Sequence, residues 1–337
     1  MRRRLRPALV VLSAGLVVTA CGTDGAGPTT SAGDADACPG AVVDVVVSVG
    51  QWGDVVEALG GDCASVTTVI GSTAVDPHEF EPTPGDLAAF EEADLVVLNG
   101  AGYDSWAADA AGNLDPAPVV LDLAEVVGVE DDEHEDDHAG AERAEEQGGE
   151  HAGAEGHGHG GVNPHVWYAP DLVQRAAEAV TTELGGLSPA AAGHFADRAA
   201  AWREELAPYL AEIESLRAAA GGRSYAATES VFEYMAEAIG LTDATPEGYR
   251  ESASNETDPT PGDVAAFESL LRSGGVDVLV HNSQTDGGVP DQLRATAEEA
   301  GIPVVEVTES GTERGGSFVD WQLAQLRALS DALARRG

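Results

Sequence analysis

The chain contains no lysine. Its 17 basic side chains are all arginine and face 59 acidic ones, a formal charge of −42 at pH 7 over 337 residues. That balance makes the chain a poor partner for nucleic acid or anionic lipid headgroups, since like charges repel. It suits a cation, although general acidity also keeps a chain soluble. Long apolar runs are lacking as well. The one stretch, Ala8 to Ala20, is shorter than the roughly 20 residues that span a bilayer, and the rest reads as soluble. Signs of hydrolytic chemistry are missing too. There is no His-Glu-x-x-His, no nucleophile elbow and no base outside the candidate ligands named below. A catalytic metal needs an open position with a base beside it, so a metallohydrolase is the weaker reading and no enzyme is expected.

The basic start Met-Arg-Arg-Arg-Leu-Arg-Pro and the short apolar run read as an export signal over residues 1–20. The run ends in Val18-Thr19-Ala20-Cys21, which resembles the lipobox of bacterial lipoproteins. The resemblance implies cleavage before Cys21, a diacylglycerol on its thiol, and a lipid anchor at the extracytoplasmic face of the cell membrane. Residues 21–40, rich in Gly, Thr, Ser, Asp and Ala, read as a tether with nothing to bury. The other two cysteines, Cys38 and Cys63, flank a strand–helix unit. Outside the cytoplasm such a pair more often forms a disulfide than a metal site.

An internal duplication predicts the architecture. Glu81-Pro-Thr-Pro-Gly-Asp-Leu-Ala-Ala-Phe-Glu91 and Asp258-Pro-Thr-Pro-Gly-Asp-Val-Ala-Ala-Phe-Glu268 are identical at nine of eleven positions. Each offers Thr as N-cap, Pro at N1 and Asp at N3, a strong helix start. Ala58-Leu-Gly parallels Ala238-Ile-Gly, Ala93 to Asn99 parallels Val276 to Asn282, and Pro118-Val-Val parallels Pro303-Val-Val. Apolar strands at 42–49, 65–70, 94–98, 118–121, 224–228, 277–281 and 303–307, with a weaker one near 241–245, alternate with helical stretches. This is an α/β pattern: two duplicated lobes, each with a mostly parallel four-stranded sheet. The lobes are expected at 41–129 and 222–337, with a ligand loop and helix at 162–187 and a connecting helix at 188–221. Ser188-Pro189 offers that helix an N-cap and N1 pair, and its 32 residues would extend roughly 48 Å, with a kink at Pro208.

In parallel α/β sheets ligands collect beyond the carboxyl ends of strands. His78 lies in the loop after strand 65–70, Glu229 follows strand 224–228, Asp286 follows strand 277–281, and His165 precedes the helix at 171–184. Imidazoles with carboxylates suit zinc or manganese. Both histidines follow proline, which stiffens the backbone that presents them.

These segments resemble the zinc/manganese substrate-binding proteins of ABC importers, the cluster A-I or ZnuA-like family. Asp76-Pro-His-Glu-Phe-Glu-Pro-Thr-Pro-Gly-Asp, Ala93 to Gly100 and Asn163-Pro-His-Val-Trp carry the resemblance, which covers nearly the whole mature chain. It implies two α/β lobes, a rigid connecting helix, and a metal buried between the lobes. His78 and His165 match the first two family ligands and Glu229 the third. The fourth, ordinarily acidic, meets His281-Asn-Ser-Gln-Thr at the strand end. Asp286 takes that role here, with His281 as the alternative. The resemblance also implies an ABC permease and its ATPase as partners, the loaded receptor acting as a monomer. A metal-dependent adhesin of the same fold is a further alternative.

Residues 130–161 hold five of the nine histidines, His134, His138, His151, His157 and His159, among twelve acidic residues and Gly/Ala spacers. Such a stretch buries too little to fold and forms a loose auxiliary chelator. A Glu at position 229 leans toward Mn²⁺ and the histidine tract toward Zn²⁺. The tract weighs more, because Glu serves zinc well whereas manganese gains little from imidazoles.

Overall fold

A computed structural model describes residues 28–72, 80–129, 162–255, 257–285, 287–311 and 316–336. The first half runs β1 (Thr29–Ser31), β2 (Val43–Val49), α1 (Gly50–Gly60), β3 (Ala64–Ile70), α2 (Pro84–Ala88), β4 (Leu95–Leu98), α3 (Ser105–Gly112), β5 (Val119–Asp122) and α4 (Leu123–Val126). Two helices follow, α5 (Pro170–Leu187) and α6 (Ala192–Ala219). The second half runs β6 (Ser224–Ala227), α7 (Glu233–Ile239), β7 (Thr242–Asp243), α8 (Glu247–Ser254), α9 (Pro261–Arg272), β8 (Val278–Asn282), α10 (Gly288–Glu299), β9 (Val304–Val307) and α11 (Phe318–Ala334).

The sheets are ordered β1-β3-β2-β4-β5 and β7-β6-β8-β9. Apart from β1 every pairing is parallel, and β3-β2-β4-β5 repeats the order of the second sheet. Strand β2 is buried at every position except Asp44, as expected where helices cover both faces. The first sheet has one strand more than the sequence suggests. Thr29–Ser31, within the expected tether, pairs antiparallel with β3. It covers backbone groups that β3 would otherwise leave open at the edge.

Both copies of the repeated segment start a helix as their residues dictate. Thr83 Oγ1 accepts from Asp86 N–H while Asp86 Oδ2 accepts from Thr83 N–H (2.7 Å). Thr260 Oγ1 accepts from Asp263 N–H in the same way. Ser188 departs from expectation. Its hydroxyl donates to Ala41 O (2.7 Å) instead of capping, and a 3₁₀ turn at Pro189–Ala191 precedes α6.

Helix α6 has 28 residues with Pro208 inside it. It buries Phe195, Ala199, Trp202, Leu206, Tyr209, Ile213 and Leu216 at helical spacing. It grips the two lobes alike. Arg198 Nε donates to Ala58 O (2.8 Å) and Arg217 Nε to Ala238 O (2.8 Å). These are repeat-equivalent carbonyls near the ends of α1 and α7, where the helix dipole favours a cation. One apolar cluster runs through both lobes, including Val47, Trp52, Trp167, Tyr168, Tyr209, Phe232, Val305 and Phe318. A continuous core of this kind leaves little freedom for the lobes to hinge. Cys38 and Cys63 are joined, with Cα atoms 5.0 Å apart, which ties the approach to β2 to the start of β3. Among the described residues no helix is long and apolar enough to cross a membrane.

Candidate metal centre

The carboxyl ends of β4, β6, β8 and β9 and the loop before α5 meet between the lobes. His165 sits in that loop, only 3% exposed. Asn163 Oδ1 accepts its backbone N–H at 3.0 Å and lies 2.7 Å from its Nδ1. Asn163 Nδ2 donates to Ser230 O (2.9 Å) and Glu233 Oε2 (3.0 Å), which fixes the amide's orientation. Oδ1 can only accept, so Nδ1 carries the imidazole proton and Nε2 presents its lone pair. Asn163 thereby also fastens the loop to the second lobe, as does the Tyr234 hydroxyl, which donates to Asn163 O (2.9 Å). From the first lobe, Asn99 Nδ2 donates to Pro164 O (2.9 Å), and Trp52 Nε1 holds Asn99 Oδ1 (2.8 Å).

His165 Nε2 faces Glu309 Oε2 at 3.9 Å. Glu309 lies two residues beyond β9 and is 1% exposed. Its two oxygens accept from opposite lobes: Oε2 from the Tyr103 hydroxyl and Oε1 from Asn282 Nδ2, each at 2.7 Å. The same amide nitrogen also reaches Glu229 Oε2 and Thr285 Oγ1 (2.8 Å), and the Thr285 hydroxyl donates to Glu229 Oε2 at 2.7 Å. Burial, and then the charge of Glu309, push the Tyr103 phenol well above its ordinary range, so it stays protonated as a donor. Next to Tyr103, Asp104 accepts from the backbone N–H groups of Asn99 (2.6 Å) and Gly100 (2.9 Å) and from the Ser48 hydroxyl. Burial raises its carboxyl despite those bonds.

The sequence-predicted residues divide accordingly. His165 and Glu229 are linked through Glu309 and Asn282. His281 is elsewhere. It alternates with Asn282 along β8 and shares its face with Leu279, which packs with Leu293 and Ala297 of α10. Burial, then Arg294, lower its pKa below the ordinary imidazole range, with Glu306, Asp291 and Glu298 opposing. His78, Asp286, Cys21, and the histidines His134, His138, His151, His157 and His159 lie outside the described residues, as does Asp76. Among the described residues no three His, Cys, Asp or Glu side chains converge tightly enough to hold an ion alone. Glu309 is the residue that sequence reasoning passed over. The strand-end rule that found Glu229 applies to it equally, because it follows Val304–Val307.

Two like α/β lobes on a shared helix, with the strand ends of both turned toward each other, define the class of two-lobed α/β proteins to which this chain belongs by fold. A family model described as zinc-uptake complex component A, periplasmic (ZnuA), matches residues 45–332. The chain belongs to this family. The high-affinity zinc uptake system protein ZnuA of Bacillus subtilis is 24% identical over 341 residues, covering 96% of each chain. The zinc-binding lipoprotein AdcA of Streptococcus pneumoniae is 23% identical over 290 residues, 83% of this chain and 53% of its own. This chain thus spans about half the length of the streptococcal relatives it matches. The manganese-binding lipoprotein MntA of Halalkalibacterium halodurans is 23% identical over 265 residues, covering 78% and 76%. Among solved structures, the periplasmic zinc-binding protein TroA of Treponema pallidum superposes with a TM-score of 0.69 at 18% identity, covering 87% and 99%. That likeness speaks for the fold.

Proposed function

We propose that this chain captures Zn²⁺ outside the cytoplasm and presents it to an ABC permease, with His78, His165, Glu229 and Glu309 as ligands. The observation that carries the reading is the buried Glu309 carboxylate facing the Nε2 lone pair of His165 at 3.9 Å. That gap is short enough for one ion with bonds of about 2.0–2.2 Å to reach both atoms. Glu309 replaces Asp286 as the fourth ligand because its burial and its position opposite His165 supply what a ligand needs. His281 is set aside, since it is buried and alternates with Asn282 along β8, on the face that carries Leu279. The ion is cargo: it sheds water, is held by deprotonated groups, and leaves unchanged. Affinity falls with acidification as imidazoles take up protons.

The rest of the reading concerns delivery. Cys21, lipidated after removal of residues 1–20, tethers a monomeric receptor beside its permease. The histidines at 134, 138, 151, 157 and 159 add weaker sites that gather zinc near the cleft. Manganese is the second reading, favoured by two carboxylate ligands and by the similarity to a manganese-binding lipoprotein. Calorimetry with Zn²⁺ on the mature chain and on His165→Ala and Glu309→Ala tests the site. Loss of tight binding in both is expected, and wild-type affinity in either would refute it. Removal of 130–161 is expected to spare the tight site. A preference for Mn²⁺ in direct competition would overturn the zinc assignment.

A further inference from the structure

Asn282 closes β8, the strand that lies between β6 and β9. Its side chain therefore stands between the two glutamates that follow those neighbouring strands. An amide nitrogen has two protons, and three acceptors surround this one: Glu229 Oε2, Glu309 Oε1 at 2.7 Å and Thr285 Oγ1 at 2.8 Å. The amide cannot turn, because its Oδ1 accepts from Gln284 N–H (3.1 Å) and its backbone N–H is held by Thr228 Oγ1 (3.1 Å). Asn282 itself is 1% exposed.

The opposite lobe holds the other oxygen of Glu309. Tyr103 donates to Oε2 at 2.7 Å, the oxygen that faces His165. The Tyr103 ring is itself wedged against Trp167 and His165, with centroids 5.1 and 6.0 Å away. Pinned at both oxygens from opposite sides and buried, Glu309 cannot rotate its carboxylate plane. A carboxylate changes from one-oxygen to two-oxygen ligation by that rotation.

We propose that Tyr103 and Asn282 are specificity-determining positioning residues that lock Glu309 into one-oxygen ligation. They tune the site for an ion satisfied by four ligands over one that gathers more oxygens. Zinc is content with four donors in tetrahedral array, whereas manganese favours a fuller oxygen shell. Hydrogen-bond partners of a ligand act this way generally, by fixing its orientation. The inference rests on the proposed metal site and explains how one fold with two carboxylate ligands would still favour zinc.

The test uses the full mature chain and Tyr103→Phe, which keeps the ring and removes only the hydroxyl, with circular dichroism as the check on folding. Cobalt(II) serves as a visible probe, because four-coordinate Co²⁺ absorbs far more strongly than five- or six-coordinate Co²⁺. Wild-type protein should give the intense four-coordinate band. Tyr103→Phe should weaken it and lower the ratio of Zn²⁺ to Mn²⁺ affinity at least tenfold. Asn282→Ala, which frees Oε1 instead, should shift the band in the same direction. An unchanged band and an affinity ratio within threefold of wild type in Tyr103→Phe would overturn the proposal while leaving the metal site standing. Tight zinc binding by Glu309→Ala would instead overturn the site reading, and this inference with it.

Discussion

Replacing Asp54 with Asn should stabilise the protein, and most strongly toward neutral pH. Asp54 lies on α1, where its Oδ2 approaches Gly311 of the second lobe, 3.6 Å from where a Cβ at that glycine would sit, with Trp321 alongside. Burial, and secondarily the neighbouring Glu57, push its carboxyl from 3.8 up to about 6. Glu57 is raised by burial in the same direction. The folded pKa exceeds the unfolded one, so the native state binds this proton more tightly. The associated stability is present below the unfolded value and is lost as pH rises through about 6. At pH 8 the ionised group costs up to about 3 kcal/mol, since each tenfold difference in proton affinity is worth about 1.4 kcal/mol. At pH 4.5 linkage leaves only about 1 kcal/mol. Asp54→Asn removes the charge and keeps the shape. Its gain should approach about 3 kcal/mol at pH 8, roughly 5 °C in Tm for a chain of this size, and shrink toward pH 4.5. Thermal melts of metal-free wild type and variant across that range measure it. A gain independent of pH, or none at pH 8, would refute the reasoning.

Cutting the Cys38–Cys63 bridge by Cys38→Ser with Cys63→Ser releases a loop with a sequence separation of 25. The chain-entropy relation gives about 3.5 kcal/mol of lost stability; a urea-melt loss under about 1 kcal/mol would count against that constraint. Arg198→Ala and Arg217→Ala should each cost about 1–2 kcal/mol through a lost charge-assisted bond to a helix-end carbonyl. Amide exchange should rise locally, at the end of α1 for the first and of α7 for the second, and a uniform rise would contradict the assigned contacts. His281, with its pKa lowered by burial and Arg294, binds its proton more readily when unfolded. Native stability should therefore fall as pH drops below about 6.5, and His281→Leu should flatten that slope. An NMR titration placing His281 at or above the ordinary imidazole value would refute this.

Much of the fold was legible because it is written locally. Thr-Pro-Gly-Asp specifies a capped helix wherever it occurs, and it does so at both Thr83 and Thr260. Runs such as Val43 to Val49 announce a doubly buried strand through their own composition. The repeated segments fixed the correspondence between lobes, down to Ala58 and Ala238, whose carbonyls meet equivalent arginines of α6. Local reading failed where a better partner existed far along the chain. Ser188 has the chemistry of an N-cap, but Ala41 O claims its hydroxyl, and Thr29–Ser31 become a strand only because β3 offers an open edge.

The sequence by itself determined an acidic, duplicated α/β chain with histidines on stiff proline turns and a glutamate at a strand end. Only the tertiary structure decided that Glu309 faces His165, and that Asn282, which in the sequence looks like a missing acid, holds two of them. The physical reason is the order of strands. Helix caps and strand periodicity are settled within a few residues, whereas β8 reaches both glutamates because the sheet places it between β6 and β9. Burial then holds its amide nitrogen against carboxylates that lie 27 and 53 residues away in the chain.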